Sequence, residues 1–258
     1  MSAEEPAADE PKTEVPPAVR AQLLATEHWS LLASRSTTQG EVLTRISMFL
    51  YLVSAGLVSL ALAGQATDFD EGFPAIALTL LGIILMVGVL TEVRVINVSL
   101  EDLAYVLAMN RLRGAYAEMD PGVSAYLMAS RFDDMPGSQT TYYFFGARNW
   151  SQVLGSSMVF IMAVNSALLG LLLAGITLTV ALPTWLCVTI AVIGGLAFFG
   201  GSMRLGYMRY LELWHRHTPL FPSPAPAHRT DTHRTEPQRT EPQRSDSDRG
   251  DSGGRPTG

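Results

Sequence analysis

Long stretches without a charged side chain constrain this sequence more than any other feature. They cover residues 46–67, 72–91 and 149–203, and the last is long enough for two helices. A helix needs about 20 mostly apolar residues to cross the ~30 Å hydrocarbon core of a membrane. Soluble core helices seldom run that far without a charge, because one face normally meets water. The sequence therefore predicts an all-α membrane protein with four transmembrane helices, near residues 46–66, 73–95, 153–176 and 182–204.

Basic residues around these spans predict how the chain is oriented. Arg residues lie before the first span, between the second and third, and after the fourth, whereas the short connectors within each pair of spans have none. The basic side of a membrane protein faces the cytoplasm. We therefore expect two parallel hairpins, residues 45–98 and 149–205, in a bacterial cytoplasmic membrane, with both termini cytoplasmic. The acidic connector GQATDFDEGFP (64–74) is then an external turn; it lacks the glutamate that ends a calcium-binding loop.

The remaining segments are expected to be cytoplasmic. The acidic, proline-containing N-terminus lacks the basic start and apolar core of a signal peptide. SLED, beginning at Ser99, has the pattern of a capped helix start, and a second short helix is expected at 123–130, before a loop at 131–139. The full division is a disordered acidic N-terminus (1–17), an amphipathic helix (18–44), a helical segment (99–148), a juxtamembrane helix end (206–218) and a disordered tail with an arginine every five residues (219–258).

Small residues recur at spacings of three and four along the spans, which predicts close helix packing in lipid. SAGLVSLALAG (54–64) also aligns with NSALLGLLLAG (165–175), so a parallel duplication of the hairpin and a chance likeness of apolar sequences both stay open. The predicted packing residues are Ala55, Ser59, Ala63, Ser166, Gly170, Ala174, Gly194 and Gly201.

A heptad-like stripe runs along the central cytoplasmic segment. Its side chains must be buried against the 18–44 helix, another central helix, a partner subunit or the lipid surface. Packing within the chain is the simplest of these alternatives, and an oligomer contact is the next. The contact stripe consists of Tyr105, Met109, Leu112, Tyr116 and Met119.

Few residues carry recognisable chemistry. Glu92 and Arg94 lie at the inner end of the second span, where we expect both to reach water, and an interhelical hydrogen bond explains Asn165. His215 and His217 have no third metal ligand nearby, and no nucleotide-binding or hydrolase motif is present. Charged residues make up only 16% of the chain and form no clustered basic face. We expect no enzyme, no cofactor, no metal and no nucleic-acid partner.

The segments EHWSLLASRS, RISMFLYLVSAG and MNRLRGAY resemble a group of bacterial four-span membrane proteins, over about residues 20–215. The resemblance implies the four-span architecture and no particular activity. A helix followed by two spans is also similar to SLATT-type effectors, two-span proteins that open pores in bacterial defence, although this chain has four spans.

Architecture and resemblance together predict a non-enzymatic membrane assembly or signalling partner. In this role the chain would contact the lipid bilayer and form a homo-oligomer or bind a membrane-protein partner. One alternative is an oligomeric pore or channel-type effector with Glu92 and Arg94 near its inner mouth. A second alternative is a transporter subunit.

Overall fold

The computed structural model describes residues 15–144, 146 and 150–224, so most of the predicted disordered ends lie outside the described residues. The described residues up to Ser223 form one compact unit. All regular elements in the described part are helical. They are α1 (Pro17–Ala66), α2 (Phe73–Met119), a 3-10 helix (Pro121–Tyr126), α3 (Met135–Tyr142), α4 (Trp150–Leu154), α5 (Ser157–Thr179) and α6 (Thr184–Arg216).

Four helices, α1, α2, α5 and α6, are long and apolar enough to cross a membrane. This confirms the predicted all-α class and the number of candidate spans. The helices pack in the order α1, α2, α5, α6, with little contact between α2 and α6. An apolar core forms where the first three meet, and it includes Ile46, Phe49, Ile84, Ile161 and Leu168.

Most of the apolar helix surface faces outward. In the most apolar 18-residue window of α5, 33% of the residues are buried within the chain, against 17% in α1, α2 and α6. The apolar part of α5 is therefore the most enclosed of the four. The other three helices present broad apolar faces, which suit lipid or another membrane protein better than water.

The tight connector between α1 and α2 is shaped by its own side chains. Asp68 and Phe69 have positive φ angles of 50° and 56°, and the Phe69 ring occupies the space where a side chain on Gly64 would lie. The Asp70 carboxylate then accepts hydrogen bonds from the backbone N–H groups of Gly72 (3.0 Å) and Phe73 (3.2 Å). The acidic connector therefore contains an aspartate turn that leads directly into α2.

Helices α1 and α2 are longer than the sequence patterns indicated, at 50 and 47 residues. The 18–44 helix and the first span are one continuous helix, in which Gly40 has open space around it. The predicted helix start at Ser99 is wrong. Its hydroxyl donates to the Ile96 carbonyl oxygen (2.7 Å), a bond that lets serine sit inside a helix instead of capping one.

The connection between α2 and α5 also differs from expectation. The short helix predicted at 123–130 is a 3-10 helix that ends at Tyr126. The loop predicted at 131–139 contains the start of α3, because Asp134 caps it by accepting a hydrogen bond from the Gly137 N–H (2.9 Å) and Pro136 lies in its first turn.

Candidate functional site

A buried polar pair lies in the seam between α2 and α5. The Asn165 side-chain Nδ2 donates a hydrogen bond to Glu92 Oε2 over 2.7 Å, and the two residues are 0% and 4% exposed. Gly88 makes this approach possible, because a Cβ there would overlap with Asn165 Oδ1 and the Phe49 ring. The interhelical hydrogen bond expected for Asn165 is confirmed.

The predicted environment of Glu92 is wrong. It was expected to reach water beside Arg94, but its carboxyl group points into the seam and is buried. Arg94 points elsewhere and donates to Glu41 Oε2 (3.2 Å) and Glu101 Oε1 (2.9 Å), which ties α1 to α2. The two residues diverge because a spacing of two turns an α-helix by about 200°.

Asp102 is the centre of a second polar cluster, which joins α1, α2 and α3. Its carboxylate accepts hydrogen bonds from Arg35 Nε (2.6 Å), Gln39 Nε2 (2.7 Å) and the Tyr142 hydroxyl (2.7 Å). Burial raises the pKa of Tyr142, and the hydrogen bond to Asp102 raises it further. Burial lowers the pKa of Arg35, but the hydrogen bond and charge of Asp102 more than offset this, so that its pKa is raised. At neutral pH the cluster therefore holds α1, α2 and α3 together.

Asp133 is the centre of a third cluster, which we call the C-terminal clamp (Asp133, Asp134 and residues 217–223). Its fully buried carboxylate accepts hydrogen bonds from the backbone N–H groups of Phe221 (2.7 Å) and Leu220 (3.0 Å) and from Arg111 Nε (2.7 Å). Burial raises the pKa of Asp133, yet these three donors lower it by more. Residues 219–223, predicted as part of the disordered tail, are therefore held in place.

The clamp extends to two neighbouring contacts. The Ser223 N–H and hydroxyl donate to the Asp134 carboxylate over 2.6 and 2.8 Å. The Phe221 ring fills the space beside Gly114, where a Cβ would come within 2.6 Å of it. The residues after α6 are thereby attached to the loop before α3 and to the C-terminal half of α2.

Asn110 supports this arrangement from inside α2. It is 0% exposed, donates to the Phe132 carbonyl oxygen (2.9 Å) and accepts from the Thr141 hydroxyl (2.9 Å) and from Arg113 Nη1 (2.8 Å). Sequence reasoning missed Asp102, Asn110 and Asp133. Their partners are distant in sequence, so no local pattern indicates them. The one local signal in this region is the Asp134–Pro136 pattern, which is typical of a helix N-terminus.

The predicted contact stripe packs partly against the same chain. Met109 is 2% exposed, and the other four residues are half-buried. The Tyr116 hydroxyl donates to the Leu24 carbonyl oxygen (3.0 Å), and its ring stacks on His28 with centroids 6.0 Å apart. These contacts favour packing of the stripe on α1 over an oligomer contact.

In α5 and α6, most of the predicted small-residue positions lie at helix contacts. A Cβ on Gly170 would lie 3.2 Å from the Ala191 carbonyl oxygen, Gly194 faces Leu173, and the Ser166 carbonyl oxygen faces Gly195. Ala174 is half-buried, whereas Gly201 is exposed, with open space where a Cβ would lie.

In α1 the predicted face is displaced. Ala55 and Ser59 are exposed and Ala63 is half-buried, whereas Gly56 and Gly64 are buried against Ile84 and Phe69. The buried face therefore lies one residue further along the helix. Since one residue turns an α-helix by about 100°, this small shift in sequence selects a different side.

The remaining candidate sites contain groups that already have partners. A cleft of about 370 Å³ between α2 and α6 includes Arg111, Arg216 and His217 in its lining. Arg111 pairs with Asp133, Arg216 with Glu212, and His217 Nε2 lies 2.6 Å from the Asp133 carbonyl oxygen. Within the described residues, no three His, Cys, Asp or Glu side chains form a group that could hold a metal.

The three polar centres lie at successive levels along α2, at Glu92, Asp102 and Arg111–Asp133. Two of them connect the polar parts of the long helices to neighbouring segments, and one connects α2 to α5 within the apolar region. Comparison with protein-family models, curated proteins and solved structures finds no match for this chain. Functional inference therefore depends on these contacts.

Proposed function

We propose that the chain is a multi-pass protein of the bacterial cytoplasmic membrane that acts as a non-enzymatic assembly or signalling component. The observation that carries this proposal is the continuity of the long helices. Helices α1, α2 and α6 run without a break from apolar segments into polar segments that carry the Asp102 cluster and the C-terminal clamp. Such helices transmit displacements between a membrane and a cytoplasmic layer.

The lengths involved make this coupling effective. Beyond residue 95, α2 continues to Met119, about 36 Å at 1.5 Å per residue. The part of α1 before residue 46 extends about 43 Å. Asp102 joins these two segments through Arg35 and Gln39, so a tilt of either span would move both.

The proposed orientation places these polar segments in the cytoplasm, as two parallel hairpins with external turns at 67–72 and 180–183. Its support is the distribution of arginines, which lie on the side of the polar segments and not in the two turns. Cysteine labelling tests it. A cysteine at Asp70 should react with an impermeant maleimide in intact cells, whereas one at Asp120 should react only after lysis.

Self-association is the assembly mode that the unburied small residues favour. Ala55 and Ser59 in α1 and Gly201 in α6 face away from the rest of the chain. Small side chains on a lipid-facing helix allow a second helix to approach closely. We propose that these positions contact another copy of the chain, while Gly170 serves packing within it.

The test compares Ser59→Leu with Gly170→Leu in lipid nanodiscs by native mass spectrometry and thermal unfolding. Ser59→Leu should lower the oligomeric state and leave the unfolding temperature of the monomer unchanged, whereas Gly170→Leu should lower the unfolding temperature. Val58→Leu adds volume at an adjacent exposed position and is the matched control. A wild-type chain that is monomeric at all concentrations, or an oligomer unaffected by Ser59→Leu, would refute self-association through this face.

A further inference from the structure

Glu92 is a carboxyl group without a compensating charge in the described part of the chain. Its one hydrogen-bond partner there is the neutral amide of Asn165, and it forms no ion pair with any described residue. An isolated carboxylate in a medium of low polarity is costly enough that such groups are normally paired or neutralised. Ionisable residues within membrane spans therefore mark candidate functional sites.

The position of the pair is inside the membrane under the proposed topology. Asn165 lies 14 residues before the outer end of α5 at Thr179, and Glu92 lies 19 residues after the outer end of α2 at Phe73. At 1.5 Å per residue these backbone positions are about 21 and 28 Å from the outer surface, within a core of ~30 Å. The pair thus belongs to the inner third of the hydrocarbon region.

Charged groups on the surrounding helices have other partners. On α2, Arg94 pairs with Glu41 and Glu101, and on α1, Arg45 pairs with Glu41. Helix α5 contains no charged residue, and on α6 the first is Arg204, which is exposed. None of these groups neutralises Glu92 in this arrangement.

Asn165 suits a carboxyl group in either protonation state. An amide presents N–H donors on one side and a carbonyl acceptor on the other. In the arrangement described, Nδ2 donates to Glu92, and Oδ1 has no hydrogen-bond partner. Rotating the Asn165 side-chain amide by about 180° would bring Oδ1 to face Glu92. Oδ1 could then accept a hydrogen bond from a protonated carboxyl group at the same 2.7 Å separation, which is typical of an O–H···O bond.

The available space favours a proton over a larger cation. Oδ1 of Asn165 lies directly over the Gly88 backbone, where even a methyl group would overlap with it, and the Phe49 ring closes the same side. A metal ion would need several oxygen ligands, whereas a proton needs one acceptor.

We propose that Glu92 is an intramembrane proton-binding site, whose carboxyl group carries a proton while the seam between α2 and α5 is closed. Loss of that proton places an uncompensated charge in the seam. The seam then opens to water, or α2 and α5 shift relative to each other. The proton thereby controls how the α1–α2 pair packs against the α5–α6 pair.

Infrared spectroscopy of the full chain in lipid tests this directly. At neutral pH the wild type should show the C=O stretching band of a protonated carboxylic acid, which moves on labelling glutamate with ¹³C. Glu92→Gln should abolish the band. It should also leave the unfolding temperature near that of the wild type, because an amide mimics the neutral acid.

Glu101→Gln is the matched control, since Glu101 lies on the same helix, is partly exposed and pairs with Arg94. It should retain the band. Raising the pH should remove the wild-type band and, after correction for the faster intrinsic exchange at high pH, lower the protection of amides around Gly88 and Asn165 together. Absence of the band at neutral pH, its persistence in Glu92→Gln, or a sodium-dependent stabilisation that requires Glu92 would each overturn the proposal. None of these outcomes bears on self-association, which the oligomeric state tests separately.

Discussion

Replacing Asp133 with asparagine should release the C-terminal clamp. The carboxylate uses both oxygens, Oδ1 for the Phe221 N–H and Oδ2 for the Leu220 N–H and Arg111 Nε. Asparagine keeps one acceptor and turns an NH₂ group toward the remaining donors. A hydrogen bond to a charged group contributes about 1.5–3 kcal/mol, and Arg111 also loses its counter-charge, so docking of residues 217–223 should weaken by about 2–4 kcal/mol.

Hydrogen–deuterium exchange in lipid nanodiscs measures this change. Amide protection reports the free energy of local opening, and each 1.4 kcal/mol corresponds to a factor of ten. The Leu220 and Phe221 amides should therefore exchange about 30- to 700-fold faster in Asp133→Asn. Amides in the membrane-spanning part of α5 should be unchanged, because the clamp lies outside it.

Asp120→Asn is the control, since Asp120 is exposed and accepts a hydrogen bond from the Gly122 N–H outside the clamp. Unchanged exchange at Leu220 and Phe221 in Asp133→Asn would refute the assignment of docking to this carboxylate. Equal acceleration in Asp120→Asn would refute its specificity.

The same clamp should depend on pH in a defined direction. Although burial raises the pKa of Asp133, its three donors lower it below the ordinary value. A lowered carboxyl pKa stabilises the folded arrangement above the unfolded-state value of about 3.9, and this stabilisation is lost as the pH falls through the folded-state value. After correction for the pH dependence of intrinsic exchange, the protection of the Leu220 amide should thus be unaffected by Asp133 between pH 7 and 5 and should fall in more acidic solution.

Further predictions concern the other polar centres and the pore alternative. Asp102→Asn should lower the free energy of unfolding by about 1–3 kcal/mol, because the side chains of three residues donate hydrogen bonds to a largely buried carboxylate; Arg45→Gln, in an exposed pair, should leave thermal unfolding unchanged. Gly88→Ala should cost about 1–3 kcal/mol through overlap with neighbouring side chains, whereas Gly82→Ala, which has open space around it, should be neutral or slightly stabilising by the same measurement. Asn165→Leu should cost about 1–2 kcal/mol by removing the interhelical hydrogen bond. Liposomes containing the protein should not release small dyes, because no polar stripe follows the described spans; dose-dependent release would favour the pore alternative.

Local features of the sequence were sufficient to predict four helices that are long and apolar enough to cross a membrane. Uncharged length predicts candidate spans, because every residue of a lipid-facing helix contributes to its transfer free energy whatever its neighbours are. The connectors were equally predictable: the acidic turn at 64–74 and the gap between the predicted spans 153–176 and 182–204 lie where α1 and α5 end. Asn165 could also be assigned an interhelical bond, because a lone amide among apolar residues requires a partner.

Helix ends within the polar segments were less predictable. Ser99 lies in a sequence typical of a helix cap, but α2 continues through it. Its hydroxyl donates to the Ile96 carbonyl oxygen, and the C-terminal half of α2 is held by contacts with α1 and α3. A cap pattern measures only local preference. Tertiary packing outweighs that preference when both flanking segments favour helix.

The sequence by itself determined the helical class, the four apolar spans and the short turns, because these depend on composition summed along the chain. Only the tertiary structure decided that Gly56 and not Ala55 faces α2, that Glu92 is buried, and that Asp133 holds the residues after α6. One position along a helix changes the direction of a side chain by about 100°. The partners of these residues lie tens of positions away, so their environments arise only when the helices pack.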